Sequence, residues 1–283
     1  MVEIIKYITR QSHKPLILIP VILMILSLLY ISVFGLNEGV DLKGGTLVTV
    51  ELNQPMTQSQ VTQLVKDKLG INDVKTSMSD NTATITISGS VDQSQFNELF
   101  SSEFKVLSFR SVGALLSDAA LGQIYYALLF AFVFMSVTVF FVFRDLTPSL
   151  AIILSAVCNL SIAVGSMSLF GIPLSIASVG ALLMLIGYGV DTDILLTTRL
   201  LKRRHGSLDD RAEDACRTGL TLTFATLAAM IVLFIVVKVF IPTAQVLEDI
   251  SAVLIMGLLS DLLSTWLMNL GILKWHIERG GHD

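Results

Sequence analysis

Apolar residues run in six long stretches, about Leu16 to Phe34, Leu121 to Phe143, Leu150 to Phe170, Ile176 to Thr198, Leu220 to Phe240 and Ala252 to Leu273. A helix rises about 1.5 Å per residue, so each run predicts a helix able to cross a hydrocarbon layer roughly 30 Å thick. Between Asn37 and Asp118 the period changes to alternation. There Thr46 to Leu52, Val74 to Met78, Ala83 to Ile87 and Phe104 to Phe109 read as strands. Thr57 to Leu69 and Val91 to Phe100 read as amphipathic helices, and Ser79, Asp80 and Asn81 as a hairpin turn. The order βαββαβ predicts a small α+β, ferredoxin-like domain inserted between the first two spans.

Composition agrees with a polytopic α-helical membrane protein. The 283 residues are 53% hydrophobic and only 15% charged, with mean hydropathy +0.74. The first run has no small-residue cleavage site after it, so it is expected to be a retained helix. Basic residues set the orientation. Lys6, Arg10 and Lys14 precede span one, Arg144 lies between spans two and three, Arg199, Lys202, Arg203, Arg204, Arg211 and Arg217 between four and five, and Lys274 and Arg279 follow span six. Connections on the opposite side are nearly free of Lys and Arg, which predicts cytoplasmic termini and an extracytoplasmic stretch 37–118. The expected organisation is therefore 1–36 with the N-terminus and first span, 37–118 outside, 119–273 with spans two to six, and a tail 274–283. The run Lys202-Arg203-Arg204-His205 reads as a topology anchor.

Several function classes are excluded. A net charge of −4 leaves no basic face for nucleic acid. The two cysteines, Cys158 and Cys216, do not make a disulfide framework. No nucleophile with a base, phosphate-binding loop or metal-ligand cluster is present, so neither an enzyme nor a cofactor or metal is expected. The outer carboxylates Glu51, Asp67, Asp73, Glu98 and Glu103 are scattered and read as a solvated surface.

The acids inside the apolar runs carry the functional question. Asp191 and Asp193 lie in span four, where a charged side chain costs at least about 2.5 to 3.5 kcal/mol on insertion scales. About 200° of helix rotation separates them, so they cannot share one face. Asp191 lines up with Met184, Tyr188, Leu195 and Thr198; it reads either as a group whose ionisation is linked to conformational change or as a permanently protonated structural carboxyl. Arg217 is its candidate partner, or a plain anchor at the start of span five. Asp193 is expected to pair with Arg199 or to cap a distorted turn. Asp261, among Ser260, Ser264 and Thr265, is a third acid at membrane depth that either shares a proton with Asp191 or binds Arg217. Gly165, Gly171, Gly180, Gly187, Gly189 and Gly257 read as permitting close helix packing.

Certain strings resemble a known family. Gly39-Val40-Asp41-Leu42-Lys43-Gly44-Gly45-Thr46, directly after span one and before a strand, resembles the G-x-D-x-x-G-G signature of the SecD/SecF family of protein-export membrane proteins. Its glycines suit a turn with positive φ and close backbone approach. Gly187-Tyr188-Gly189-Val190-Asp191 is similar to the G-Y-S-I-N-D region of the SecF branch, and Arg217-Thr218 with Thr221 to its R-T-x-x-T. Thr192 stands where the bacterial branch has its aspartate, Asp191 where the SecD branch has one, and Asn159 where a His-Asp pair is usual. Asp261 followed by Thr265-Trp266 looks more like the archaeal branch. The resemblance implies a six-span half of the resistance-nodulation-division architecture, acting in export. Its implied partners are a SecD-like subunit, a SecYEG-type translocon, the translocating polypeptide and membrane lipid. It also implies proton or ion coupling through Asp191, Thr192, Asp193, Arg217 and Asp261. Two alternatives stay open, a small-molecule transporter subunit and a scaffold without ion coupling.

Overall fold

A computed structural model describes residues 2–79, 81–202, 207–241 and 243–280. Arg203, Arg204 and His205 of the basic run, and Asp80 of the expected hairpin turn, lie outside the described residues. Six helices are long and apolar enough to cross a membrane: His13–Phe34, Leu121–Phe143, Leu146–Phe170, Ile176–Lys202, Leu208–Phe240 and Gln245–Arg279. Four begin earlier than their apolar runs, and polar side chains cap two of these. Asp145 accepts from the Thr147 amide ahead of span three. Ser207 and Asp210 form a reciprocal capping box that starts span five twelve positions before Leu220. A short helix, Val2–Thr9, precedes span one.

Span six is not a uniform helix. It runs as an α-helix over Gln245–Leu263, as a π-helical segment over Ser264–Asn269, and as an α-helix again over Leu270–Gly280. A π segment inserted in an α-helix shifts which side chains face inward and is often found at functional sites. Spans three, four and six bury many residues against one another, whereas spans one, two and five expose rows such as Leu26, Leu29 and Phe34, Tyr125, Phe134 and Phe141, and Val232 and Phe240. In water such rows would be an association hazard; against hydrocarbon they cost nothing. Small residues let the inner helices close. A Cβ on Gly257 or Gly219 would collide with Leu185 or the Trp266 ring, and one on Gly165 with Ser27 of span one. Gly180 and Gly187 have no such neighbour within 4 Å, so they do not serve that purpose.

Between spans one and two lies a four-stranded antiparallel sheet of β1 (Gly45–Leu52), β2 (Val74–Ser79), β3 (Thr82–Ile87) and β4 (Phe104–Val112), in the order β2-β3-β1-β4. Helices Gln58–Leu69 and Gln93–Phe100 complete the expected α+β order. Alternation explains the layers: Ala83, Ile85 and Ile87 are buried with Val48, Val50, Val61, Val65, Phe96 and Phe100 in one apolar core. The opposite face is rich in threonine and rests on the bundle. Gln245, the first residue of span six, donates through Nε2 to Thr49 Oγ1 at 2.9 Å and to Thr84 Oγ1 at 3.1 Å.

The glycine signature makes the joint. Gly44 and Gly45 have φ of 73° and 144°, and a Cβ on Gly45 would lie 2.8 Å from the Ile87 carbonyl, so a larger residue would be strained there twice over. The Gly39 amide donates to Leu174 O at 2.8 Å, and the Leu174 amide to Asn37 O at 2.6 Å, tying the exit of span one to the connection between spans three and four. Asp41 is buried beside Arg110 of β4, 3.6 Å away.

Candidate functional site

The rotation between Asp191 and Asp193 has a direct structural result. Asp191 is exposed, on a strip with Met184 and Gly187, while Thr192 and Asp193 point into the bundle. Arg217 is exposed on span five, and no ion pair within 4 Å joins it to Asp191 or to Asp261 among the described residues. The expected contacts of Asp191 with Arg217 and with Asp261 are therefore not formed within the chain. Tyr188 donates to Thr223 Oγ1 at 3.4 Å, and Thr218 and Thr221 bond back to the carbonyls of Asp214 and Arg217. Arg199 is engaged elsewhere, with Asp214 at 2.6 Å, so it does not neutralise Asp193.

Asp193 instead meets Asp261 in a polar layer inside the bundle. Asp193 Oδ1 accepts from Ser155 Oγ of span three at 3.1 Å and from Asn269 Nδ2 of the π segment at 2.8 Å. One turn away, Asp261 Oδ1 accepts from Asn159 Nδ2 at 3.3 Å and Thr265 Oγ1 at 3.0 Å. Each acid is thus bracketed by one side chain of span three and one of span six, and the pairs Ser155/Asn159 and Thr265/Asn269 follow the spacing of four that stacks side chains on a helix face. Thr192 completes the group. Its single hydroxyl proton can go to Gly189 O at 2.8 Å or Asp261 Oδ2 at 3.1 Å, so the layer has more acceptors than donors.

Both acids are about 99% buried, and no Lys, Arg or His forms an ion pair with either among the described residues. Two adjoining buried carboxylates without a cation beside them are strongly unfavourable while both are ionised. Ser155 and Asn269 were not among the residues singled out from sequence. Polar positions at spacing four in apolar helices, 155/159 and 261/265/269, were the available signal.

Comparison with known proteins identifies the family and the fold. A family model described as protein export membrane protein SecD/SecF, C-terminal, matches residues 92–279, and one described as the SecD/SecF GG motif matches residues 30–56. The chain belongs to the SecD/SecF family. Within it, the protein-export membrane protein SecF of Methanothermobacter thermautotrophicus is 51% identical over 269 residues, covering 95% of this chain and 94% of that protein. SecF of Methanocaldococcus jannaschii is 43% identical over 275 residues, covering 94% and 96%. The crystal structure of SecDF from Thermus thermophilus, a translocon-associated membrane protein, superposes with TM-score 0.77 at 20% identity, over 93% of this chain. This SecF-type chain spans 38% of the length of that SecDF. At such identity the match establishes the shared fold, in which one chain holds more than twice the length seen here.

Proposed function

We propose that this SecF-type chain is an accessory subunit of protein export that works with a SecD-like partner and a SecYEG-type channel, and converts proton movement through its bundle into motion of its outer domain. The observation that carries the reading is the buried pair Asp193 and Asp261, ringed by hydroxyls and amides and with no cationic side chain paired to either among the described residues. A layer of this kind changes its preferred packing with its charge, because ionised acids draw donors and protonated ones supply a donor. A proton crossing the membrane releases about 2.3 kcal/mol per 100 mV, enough to shift a two-state bundle about fiftyfold.

Transmission to the outside has a short route. Asp261 lies on the helix that begins at Gln245, and Gln245 holds the sheet through Thr49 and Thr84. Asp191 and Arg217 we assign to the face turned toward the SecD-like partner, since both are exposed charged groups on spanning helices and neither has an ion-pair partner among the described residues. The Lys and Arg distribution supports cytoplasmic termini and an extracytoplasmic outer domain, to which we assign the contact with the emerging polypeptide. No covalent chemistry is required.

The test is export into sealed vesicles carrying the subunit with its copurified partner. Asp193→Asn and Asp261→Asn should each remove the response of export rate to an imposed proton gradient, and Asp191→Asn should do so by weakening the partner contact, seen as reduced copurification. Export that keeps its full gradient response in all three variants would sink the coupling mechanism.

A further inference from the structure

Where the outer domain meets the bundle, one cation stands between two acids. Asp41 of the glycine signature is buried, and Arg110 Nη1 of β4 lies 3.6 Å from its Oδ2. Asp249 lies on span six, one turn beyond the Gln245 that holds the sheet. Its Oδ2 accepts from Ser175 Oγ at 3.2 Å, and Ser175 is itself locked to the first turn of span four, its amide donating to Ser178 Oγ at 2.6 Å. Asp249 therefore joins the outer ends of spans four and six, the two helices that carry Asp193 and Asp261. It is attracted by Arg110 and repelled by Asp41 and Glu248, yet no ion pair within 4 Å joins it to Arg110 among the described residues. Glu248 has a cation of its own, Lys238 at 3.9 Å.

The charges do not balance. One guanidinium serves two sheltered carboxylates, and its two-pronged geometry pairs fully with one carboxylate at a time. The Arg110 side chain is 40% exposed, so its solvent side leaves room to swing. Asp41 belongs to the joint, which the Gly39 amide ties to Leu174 O ahead of span four, so a displacement of span six carries Asp249 relative to Asp41. We propose that Arg110 is a positioning residue of the outer domain, which exchanges between Asp41, its partner in this structure, and Asp249, and so carries a shift of span six into the seating of the sheet. Two pairings of one cation form a two-state element whose balance follows the helix.

The transmission rests on the reading that proton movement drives the domain, and the experiment has one arm that needs this reading and one that does not. A cysteine in place of Thr84, which faces Gln245, reports seating through its rate of reaction with a membrane-impermeant maleimide, in sealed vesicles holding the full chain and its copurified partner with the outer domain outward. Without a gradient, Asp41→Asn leaves the guanidinium only Asp249, draws β4 toward span six and should slow labelling at least threefold. Asp249→Asn alone should change the rate less than twofold, but added to Asp41→Asn it should undo the slowing. That non-additivity is the signature of exchange. With an imposed proton gradient, the parent's labelling rate should change, and Asp249→Asn and Arg110→Gln should each abolish the change. Arg110→Lys keeps the charge and should restore about half of it, which a packing role of the Arg side chain would not predict. Additive effects of the two acid substitutions overturn the exchange whatever the gradient does. Non-additivity without any gradient response in the parent leaves the exchange standing and overturns the proton-driven reading. A gradient response that persists in Asp249→Asn overturns the role of Arg110 in transmission.

Discussion

The outer domain and the bundle solve burial in opposite senses. In the domain, apolar side chains fill a core between sheet and helices, and charges sit outside in pairs such as Lys68 with Glu103 and Lys105 with Glu51. In the bundle, apolar side chains line the outside of spans one, two and five, and carboxylates are drawn into the centre. The first pattern is what water dictates, since the hydrophobic effect rewards removing apolar area from solvent. The second follows from lipid, where apolar exposure is free and a polar group is stable only where it finds others. The domain accordingly has no unmet chemical demand, while the bundle carries one at Asp193 and Asp261. Function is to be sought where burial costs most.

The largest expected effect breaks the domain alone. Phe96 is fully buried, with its ring 4.6 Å from that of Phe100 and 6.0 Å from that of Phe109. Phe96→Ala should cost about 3 to 5 kcal/mol, comparable to the whole stability of a small domain. Limited proteolysis should then cut within residues 45–112 while the bundle stays intact in detergent. Equal protection of the domain in wild type and variant would mean that it draws its stability from the membrane helices rather than from its own core.

Next in size is a change that makes the bundle resemble the domain. Replacing Asp193 and Asp261 together by Val exchanges two buried acids for the branched apolar side chain nearest them in volume, and exchanging buried ionisable groups for packed apolar ones is often neutral or stabilising by about 1 to 4 kcal/mol. Thermal denaturation in detergent should move upward or stay level, while the response of export to an imposed proton gradient disappears. A strong loss of stability would instead mark the two acids as structural, with their hydrogen bonds worth more than their desolvation.

The amino-acid sequence makes these two regions legible to different depths. Apolar runs and strand alternation are local signals, and they specify six helices and a four-stranded sheet in the observed order. What was not legible is how far helices continue into polar sequence, because capping by Ser207 and Asp145 acts through a few local hydrogen bonds that leave no periodic trace. The depth of the acids in the chain is equally plain in sequence. Their facing is not. Whether Asp191 or Asp193 enters the bundle depends on the rotational setting of span four, which is fixed by distant contacts such as Leu185 on Gly257 and Thr192 with Asp261. The π segment adds a further rotation in span six that no pattern of 3.6 residues anticipates.

The seam between the regions gives a smaller effect. Gln245→Ala removes the two hydrogen bonds to Thr49 and Thr84, worth about 1 kcal/mol net for a pair at a partly wet interface. Helix and sheet should both survive, as judged by circular dichroism, while a cysteine introduced by Thr84→Cys reacts several times faster with a membrane-impermeant maleimide. Unchanged labelling would show that the joint at Gly39 and Leu174 alone holds the domain on the bundle.

The smallest effect tests the outer charges, where the contrast with the buried acids is sharpest. The Lys68 ammonium 2.9 Å from Glu103, and then the Ser102 hydroxyl at 2.7 Å, hold that carboxyl below the usual carboxylate range. A group whose folded pKa is depressed adds stability that is fully present above its unfolded value of about 4.3. That stability declines as pH falls through the interval between the two values and is gone below the folded one. Since the pair is partly solvated, the whole contribution is at most about 1 kcal/mol and shrinks with salt. Domain stability measured from pH 7 down to 3 should therefore fall slightly less in Glu103→Gln than in wild type, and the difference should fade at high ionic strength. A larger or salt-insensitive difference would mean that this surface pair is desolvated like the acids of the bundle, and the division between the two regions would lose its physical basis.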